Sequence, residues 1–390
     1  MSERTSEKLR VMTVFGTRPD TIKMAPVVEA LRAHPSVESI VCVTAQHRQM
    51  LDDLLALFEI EPQYDLDIMT PDQTLTQITT RVLAGMEPVL KEAKPDVVLV
   101  HGDTTTSTSA ALAAFYQHVP VGHVEAGLRT SDRWLPYPEE MNRRITGTIA
   151  SYHFSPTDLA REHLLGEHVS VDDIIVTGNT VIDAFLATAR RSDLPPPPGF
   201  DRLDPQRPLV VVTAHRRENH PHMPEMCAAM REIAELPERP QIYWPVHPSP
   251  HVKPVAYQLL GNVPGVVLVD PVDYSQMVAA VKASTFVLTD SGGIQEEAPC
   301  LGKPVLVMRE ETERPEGLEA GTLQLVGHDR AKIVEAATRL LRDEAEYARM
   351  ARSANPYGDG RAARRIVEWL LARLRGGAYP EPFVVTASAQ

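Results

Sequence analysis

A chain of 390 residues is too long for one hydrophobic core, so its length predicts two domains. Its apolar content of 43% and charged content of 23% are ordinary for a globular protein, and its net charge of −13 disfavours nucleic acid or an anionic membrane as the main partner. Residues 1–10 hold no apolar signal segment, no apolar run reaches membrane-spanning length, and Cys42, Cys227 and Cys300 are scattered. We therefore expect a cytoplasmic protein without disulfides or a zinc knuckle.

The first half of the chain alternates between apolar β runs and amphipathic helices. A strand is predicted at Leu9–Phe15, followed by the turn Gly16-Thr17-Arg18-Pro19 and a helix over 20–34 whose early part Pro26 should break. Further strands are predicted at 39–45, 64–68, 95–100, 119–124, 151–155 and 174–178, and further helices at 50–58, 75–93, 104–116, from 139 onward and at 180–190. This alternation predicts a parallel sheet with helices on both faces.

The composition changes at 192–207, where four consecutive prolines and further prolines indicate an interdomain linker. Second-domain strands are predicted at 208–213, 242–246, 266–269, 286–289 and 305–308. A C-terminal helix near 360–375 is long enough to return to the first domain, and 376–390 is expected to be a loose tail. The predicted organisation is two doubly wound Rossmann-type domains (9–190 and 208–356) with parallel sheets facing an interdomain cleft, plus a crossing helix (357–375).

A glycine turn follows the fourth strand of the second domain. Ser291-Gly292-Gly293 opens a short helix that Pro299 interrupts and Gly302 ends, and its free N–H groups favour an anion. Glu296 and Glu297 either complement the helix dipole or bind the hydroxyls of a ribose. With Arg314 one loop further on, the stretch resembles the nucleotide-sugar half of GT-B-type proteins.

Charged or polar residues directly follow several predicted strands. These residues are Arg18, Asp103, Glu125, His215 and Ser291. Ligands of open α/β sheets bind beyond the carboxyl ends of the strands, so the five positions indicate one shared cleft. Asp103 could instead cap the threonine-rich helix after it, whereas Glu125 has no comparable capping role.

Other candidates have two interpretations each. Glu139 and Glu140 either favour a helix start or take part in chemistry. His215 stands beside two arginines that are hard to bury, which favours phosphate contact over a core histidine. The pairs His101-x-Asp103 and His123-x-Glu125 could hold a metal if residues i and i+2 share a strand face, but no zinc-enzyme spacing such as His-Glu-x-x-His accompanies them.

Six motifs resemble the non-hydrolysing UDP-N-acetylglucosamine 2-epimerases. The similarity runs in order from about residue 11 to residue 365. The motifs are Phe15-Gly16-Thr17-Arg18-Pro19, His101-Gly102-Asp103-Thr104-Thr105, His123-Val124-Glu125-Ala126-Gly127-Leu128-Arg129, Pro138-Glu139-Glu140-x-Asn142-Arg143, Thr213-Ala214-His215-Arg216-Arg217-Glu218-Asn219 and Asp290-Ser291-Gly292-Gly293-Ile294-Gln295-Glu296-Glu297-Ala298-Pro299. The resemblance implies a GT-B-like fold, a homodimer, interconversion of UDP-GlcNAc and UDP-ManNAc, and neither a metal nor a nicotinamide cofactor.

The family reaction eliminates UDP to give 2-acetamidoglucal and then adds UDP back. The resemblance makes Asp103, Glu125 and Glu139 the acid/base candidates, without deciding which carboxylate moves which proton, and clustering is expected to raise at least one of their pKa values. It assigns His215 to the leaving diphosphate, Glu297 to the ribose and Arg314 to the sugar. Around the diphosphate it places Arg18, Lys23, Ser291, Gly292 and Gly293.

Two positions near the uracil depart from many relatives. Val272 stands where they have glutamine, and Met277 where they have phenylalanine. The base pocket therefore differs, or the sugar is a modified one such as UDP-diacetamido-glucuronic acid. A GT-B glycosyltransferase and a non-catalytic UDP-sugar binding module are the alternatives from other classes; neither explains the three carboxylates of the first domain.

Some relatives bind a second, activating UDP-GlcNAc beside the active site. Gln46, Gln49, Arg216 and His247 resemble that regulatory site. Regulated relatives have an arginine where this chain has Asp72, and an aspartate facing a diphosphate would repel it. Activation should then fade, unless Asp72 turns to solvent.

Overall fold

A computed structural model describes residues 8–45, 48–130 and 132–385 of the chain, without the side chains of Gln49 and Met50. The chain forms two compact units. The N-terminal unit comprises the residues up to Ala184 together with Gly358–Val384, and the C-terminal unit comprises Phe185–Tyr357. The division falls inside a helix, and the domain limits given above stay predictions.

Each unit is built on one parallel sheet, which confirms the predicted fold class. The seven strands of the N-terminal sheet are β1 Leu9–Phe15, β2 Val37–Val43, β3 Tyr64–Asp65, β4 Val97–His101, β5 Val121–Val124, β6 Tyr152–Ser155 and β7 Ile174–Val176, in the order β3-β2-β1-β4-β5-β6-β7. The six strands of the C-terminal sheet are β8 Leu209–Thr213, β9 Gln241–Pro245, β10 Val266–Val269, β11 Phe286–Thr289, β12 Val305–Val307 and β13 Leu323–Leu325, in the order β10-β9-β8-β11-β12-β13. Both orders are those of a doubly wound nucleotide-binding fold.

Helices connect these strands and cover the sheets. They are α1 Arg18–Ala33, α2 Arg48–Leu57, α3 Leu75–Ala93, α4 Thr105–Tyr116, α5 Glu139–Ile149, α6 Asp158–Gly166, α7 Thr180–Arg190, α8 Met223–Ala234, α9 Lys253–Leu260, α10 Tyr274–Ala283, α11 Gly292–Glu297, α12 Pro315–Glu319, α13 Arg330–Arg342, α14 Glu344–Ala351 and α15 Ala362–Arg375. Within the described ranges, none of them has the length and apolar character needed to cross a membrane.

The central strands are apolar on both faces because helices cover both. In β1, Leu9, Val11 and Phe15 pack into one core, which includes residues of α1 and α15, while Met12 and Val14 pack into a second core with residues of α3 and α4. Alternate side chains of one strand therefore pack against the helices on opposite faces of the sheet.

Pro26 does not break its helix. α1 runs without interruption from Arg18 to Ala33. A proline inside a helix costs about 3 kcal/mol through a lost hydrogen bond and a steric clash. Met24, Val27 and Val28 are fully buried against the sheet, and each such side chain contributes about 1.5–3 kcal/mol. Tertiary packing therefore outweighs the local cost.

The chain after α15 is not a loose tail as far as Phe383. The Phe383 N–H donates to the carbonyl of Val176 at 2.8 Å, and the ring lies under the Arg365 guanidinium at 5.6 Å. β7 is an edge strand, so the carbonyl at its end is available to a new partner. Phe383 is buried as a result.

The predicted linker also packs. Phe200–Arg202 forms a 3-10 turn, and the Phe200 ring contacts Tyr243 edge to face at 4.8 Å in the C-terminal unit.

The glycine-turn helix is as predicted: α11 begins at Gly292, a 3-10 turn over Ala298–Leu301 follows, and Gly302 ends it with a φ of +66°.

Candidate active site

In both sheets the winding direction reverses between two central strands. The reversal lies between β1 and β4 in the N-terminal unit and between β8 and β11 in the C-terminal unit. Open parallel sheets bind ligands there, beyond the carboxyl ends of the strands. Arg18 and Asp103 follow β1 and β4, while His215 and Ser291 follow β8 and β11. Each unit therefore carries its predicted residues at its own ligand-binding edge.

Four side chains of the N-terminal unit lie around the Glu125 carboxylate; with it they form what we call the Glu125 cluster (Asp20, Lys23, His101, Glu125, Asn179). The Lys23 ammonium forms a salt bridge with Glu125 Oε2, and Asn179 Nδ2 donates to the same oxygen at 2.9 Å. His101 Nε2 is 3.6 Å from Glu125 Oε2, and its Nδ1 is 3.6 Å from Asp20 Oδ1. Asp20, His101 and Glu125 are buried, and their removal from water strengthens the electrostatic interactions between them.

The pKa of Glu125 lies well below its usual range. Burial alone would raise it, but the charges of Lys23 and His101 outweigh burial. Glu125 is therefore not a carboxylate whose pKa clustering raises, because cations rather than other carboxylates contact it. Glu125 remains ionised and able to accept a proton.

Two left-handed residues turn the chain after β4 and β5. Gly102 has a φ of +58° and Glu125 a φ of +63°, which is uncommon for a residue with a side chain. These turns break the strand alternation on which the two-pair metal hypothesis depended. His123 Nε2 donates to the Gly102 carbonyl at 2.7 Å, whereas His101 faces Asp20 and Glu125. The described ranges contain no group of three or more His, Cys, Asp or Glu side chains that could hold a metal ion.

Helix α5 holds the loop of Asp103. Arg143 Nη2 and Nε lie 2.7 and 2.9 Å from Asp103 Oδ2, and Asn142 Nδ2 donates to the Asp103 carbonyl at 2.9 Å. The alternative role of Asp103 as a helix cap is wrong, because the Thr104 hydroxyl takes that position and accepts the Ser107 N–H. An arginine therefore holds the Asp103 carboxylate at the sheet edge.

Glu139 and Glu140 have different surroundings at the start of α5. Glu140 is fully buried and accepts from the Thr130 N–H at 3.0 Å and from Arg144 Nε at 2.8 Å, so it anchors the preceding loop. Glu139 has one buried carboxylate oxygen, Oε2, that receives no hydrogen bond from any described residue. A buried acceptor without a partner is costly and is often completed by a ligand or water.

Asp290 organises the corresponding edge of the C-terminal unit. It is fully buried, and its Oδ2 accepts the backbone N–H groups of His215 and Arg216 and the Asn219 amide, each at 2.9 Å. The half-exposed His215 ring stacks on His247 with centroids 5.9 Å apart. Burial lowers the pKa of His215, Asp290 opposes this, and Arg216 and His247 lower it further.

Two guanidinium groups converge on the glycine turn. A Cβ added to Gly292 would lie 3.5 Å from Arg216 Nη2 and 3.7 Å from Arg314 Nη2. Arg314 Nε donates to Glu296, and the Tyr357 hydroxyl donates to the Arg314 carbonyl at 3.1 Å. Glu296 therefore positions an arginine. The absence of a side chain at Gly292 keeps the space between the two cations open for an anion.

The remaining predicted residues lie as follows. Arg18 is exposed at the start of α1; Val272 and Met277 are half-buried before and within α10; Gly293 is exposed and Glu297 buried in α11. Of the regulatory candidates, Asp72 and His247 are exposed and Arg216 is half-buried. Gln46 lies outside the described residues, as does the side chain of Gln49. The ligand roles of all these residues stay predictions.

Sequence reasoning missed several contributors. Asp20, Asn179 and Asp290 contact predicted site residues, yet no role was assigned to them. Asn179 follows β7 and Asp290 follows β11, so the rule of polar residues after strands would have found both. Asp20 gave no such signal, because it lies inside α1.

Known proteins match this chain over most of its length. A family model described as UDP-N-acetylglucosamine 2-epimerase matches residues 29–371. UDP-N-acetylglucosamine 2-epimerase of Escherichia coli strain K12 is 54% identical over 371 residues, covering 93% of this chain and 98% of that protein. The crystal structure of UDP-GlcNAc 2-epimerase from Neisseria meningitidis bound to UDP-GlcNAc is 47% identical, with a TM-score of 0.84 over 93% of this chain and 100% of that chain.

A more distant match concerns the fold alone. The crystal structure of the glycosyltransferase of kitacinnamycin has a TM-score of 0.61 at 12% identity, over 93% of this chain and 98% of that chain. The two parallel sheets and this likeness define a GT-B-like α/β protein. Within that class, the chain belongs to the UDP-N-acetylglucosamine 2-epimerase family.

Proposed function

We propose that this protein interconverts UDP-GlcNAc and UDP-ManNAc by inverting C2 of the sugar, as a non-hydrolysing epimerase. Two relatives support the substrate: the E. coli protein carries the name of this activity, and the N. meningitidis structure holds UDP-GlcNAc. In this chain, Glu125 supports the chemistry most directly. It is ionised, it accepts hydrogen bonds from Lys23 and Asn179, and His101 lies beside it. We assign the acid/base side to the domain 9–190 and UDP binding to the domain 208–356.

The chemistry consists of an elimination and its reversal on the other face. The C2 proton is not next to a ketone, so simple deprotonation is unfavourable. A base takes the C2 proton, the C2–H electron pair forms the C1=C2 bond, and the C1–O bond breaks with its electron pair passing to UDP. The products are 2-acetamidoglucal, UDP and the protonated base. An acid then protonates C2 from the opposite face while a UDP oxygen attacks C1, which restores the atom and charge balance.

Glu125 is the base in one direction of this proposal. Its depressed pKa keeps it deprotonated at neutral pH, as a base must be before it accepts a proton. Lys23 and Asn179 both donate to Oε2. Oε1 lies 3.5 Å from the position that a Cβ at Gly102 would take, which is an ordinary van der Waals distance. We therefore assign the proton transfer to Oε1.

Asp103 and Glu139 exchange the proton on the other face. The Arg143 guanidinium holds Asp103, and Glu139 has a buried oxygen that receives no hydrogen bond from the described chain. Both lie in the segments that α5 organises, so one helix would set the distance between them. The role of Asp103 is tested by Asp103→Asn.

The C-terminal unit supplies the nucleotide contacts of this proposal. Arg216 and Arg314 approach Gly292 from the side-chain face, which suits a diphosphate. His215 and Arg18, with Lys23, Ser291 and Gly293, are assigned to the departing diphosphate. Glu297 is assigned to the ribose, Arg314 also to the sugar, and Val272 and Met277 to the uracil.

A single experiment tests the reaction class. Purified protein is incubated with UDP-GlcNAc in D₂O and followed by proton NMR. We expect UDP-ManNAc to accumulate with deuterium at C2, together with exchange of the C2 proton of UDP-GlcNAc. A GT-B glycosyltransferase or a binding module would give neither, and this result would refute the proposal.

A UDP-sugar with a modified sugar is the second candidate substrate. It is supported by Val272 and Met277, which stand where many relatives have glutamine and phenylalanine. The same measurement on UDP-diacetamido-glucuronic acid separates the two substrates by kcat/KM. A preference of tenfold or more for the modified sugar would change the substrate but retain the reaction, since about 1.4 kcal/mol corresponds to tenfold.

We also propose that the protein is a homodimer, as its family resemblance implies. Apolar side chains on and beside α5 are exposed, including Met141 (37%), Ile145 (41%) and Trp134 (61%). Ile145→Asp should convert a dimer into a monomer in sedimentation experiments. Leu159→Asp on α6, where the native leucine is comparably accessible at 37%, is the matched control. A monomeric wild-type protein at micromolar concentration would contradict the proposal.

For regulation, we propose that a second UDP-GlcNAc site is weakened by Asp72. This residue is exposed in a left-handed turn with a φ of +53°, and it is acidic where an anion would approach. Pure UDP-ManNAc should therefore react without a lag. A long lag that micromolar UDP-GlcNAc abolishes would contradict the proposal, and Asp72→Arg should create that lag.

A further inference from the structure

The position of His101 imposes a requirement on its protonation state. Both ring nitrogens face carboxylate oxygens: Nδ1 lies 3.6 Å from Asp20 Oδ1 and Nε2 lies 3.6 Å from Glu125 Oε2. A neutral imidazole has one N–H and one lone pair, so it would turn a lone pair toward one of the two anions. Only the imidazolium has N–H on both nitrogens.

The charge balance of the cluster leads to the same requirement. Asp20 and Glu125 bring two negative charges into the interior, where they are 1% and 8% exposed. Lys23 brings one positive charge to Glu125. One negative charge would stay uncompensated with a neutral His101, and a buried unpaired charge is strongly unfavourable. A charged His101 makes the cluster neutral.

Among the described residues, Lys23 and His101 are the only basic side chains within salt-bridge distance of Asp20 or Glu125. His123, on the adjacent strand, donates through Nε2 to the Gly102 carbonyl, and burial lowers its pKa to about 3, so it stays neutral. Asn179 and Thr104 contribute uncharged donors to Glu125 and Asp20. Burial lowers the pKa of His101, but Glu125 and Asp20 outweigh it and raise the pKa above its ordinary value.

We propose that His101 is a positioning residue: as a buried imidazolium it bridges Asp20 to Glu125 and holds Glu125 ionised, with Oε2 engaged and Oε1 left for the substrate. The catalytic part of this inference rests on the proposed function, whereas the protonation state of His101 does not. Because the folded-state pKa is raised, the stabilisation is complete below about pH 6.5 and is lost as the pH rises through that raised value.

The protonation state is tested directly by NMR on the full-length protein labelled with ¹³C at histidine Cε1. The His101 resonance is identified by its loss in His101→Gln, or by its shift in Asp20→Asn if the first variant does not fold. We expect an imidazolium chemical shift at pH 7 in the wild type. In Asp20→Asn the same resonance should titrate at a lower pH. A neutral imidazole at pH 7 in the wild type would overturn the proposal.

A double-substitution cycle tests the charge balance. His101→Gln alone leaves the cluster with one excess negative charge, whereas Asp20→Asn with His101→Gln restores neutrality. We expect the double variant to have a higher Tm than His101→Gln, although it carries one more substitution. A Tm in the double variant equal to or below that of the single variant would overturn the charge assignment.

The effect on Glu125 is tested by the pH profile of C2 exchange. His101→Gln should lower kcat/KM by about ten- to a hundredfold, because Glu125 loses a buried cation 3.6 Å from its Oε2. The acid limb of the profile should move to higher pH, because Glu125 loses a stabilising cation. If kcat/KM of His101→Gln falls equally at every pH and the acid limb does not move, His101 has only a structural role and the proposed effect on Glu125 is wrong. Absence of C2 exchange in the wild type would refute the proposed function and leave the NMR result intact.

Discussion

Asp290→Asn perturbs the C-terminal unit without changing side-chain shape. The carboxylate is fully buried, and Oδ2 accepts three hydrogen bonds of 2.9 Å, from His215, Arg216 and Asn219. A hydrogen bond to a charged group contributes about 1.5–3 kcal/mol and one between neutral groups about 0.5–1.5 kcal/mol. Three such bonds therefore lose about 3 kcal/mol, of which relief of the buried charge returns a part. We expect a net loss of about 2 kcal/mol.

Hydrogen exchange measured by mass spectrometry locates this loss. A change of about 2 kcal/mol corresponds to roughly 30-fold faster exchange of amides that open with the core, here those of β8 and β11. Strands β1 and β4 of the N-terminal unit act as the internal control and should be unchanged. UDP affinity, measured by calorimetry, should fall about tenfold, because the His215 and Arg216 backbone loses its fixed partner.

Asp329→Asn is the matched control in the same unit. Asp329 is exposed and caps α13 by accepting one N–H, from Lys332 at 2.9 Å. Asparagine caps helices as well as aspartate does, so neither exchange nor UDP affinity should change. Exchange of β8 in Asp290→Asn within twofold of the wild type would refute the role given to Asp290.

Further predictions concern catalysis and pH. Asp103→Asn and Glu125→Gln should each lower turnover by about two to four orders of magnitude and retain UDP affinity; near wild-type turnover would remove that residue from the acid/base set. His215→Ala should weaken UDP binding by about 1.5–3 kcal/mol and slow turnover, and unchanged affinity by calorimetry would contradict its phosphate role. EDTA should leave turnover unchanged; a loss that a divalent cation restores would contradict this. Burial lowers the pKa of His123 to about 3 and of His153 to about 4, so the unfolded chain binds protons first and stability falls below about pH 6.5. His153→Gln should reduce that loss in urea titrations between pH 6.5 and 4, and an unchanged pH slope would refute this.

Local patterns predicted the elements that local physics controls. β1, β10 and β11 have the predicted bounds because continuous apolar, β-branched runs are characteristic of strands buried on both faces. α3 also has its predicted bounds, since Thr74 and Gln77 form a capping box at its start. The second-domain helices α8, α9, α10, α12, α13 and α14 and the strand β13 were not predicted.

Non-local packing overrode two local expectations. Pro26 is tolerated because α1 is buried along the sheet, and the segment before Phe383 is held because an edge strand offers a free carbonyl. Val176 is distant from Phe383 in sequence, and α15, which shares a core with α1, is distant from α1. Propensity rules describe the cost of a residue in isolation, and tertiary contacts of a few kcal/mol exceed that cost.

The sequence by itself determined the fold class, the family and the set of polar residues that follow the strands. Only the tertiary structure decided the chemical state of those residues. Glu125 meets Lys23, His101 and Asn179, which lie far from it along the chain. Whether a buried carboxylate is ionised depends on its distance to such charges and on its removal from water, because Coulomb energies and desolvation vary steeply over a few ångströms. Those distances exist only once the strands pair and α1 packs onto them.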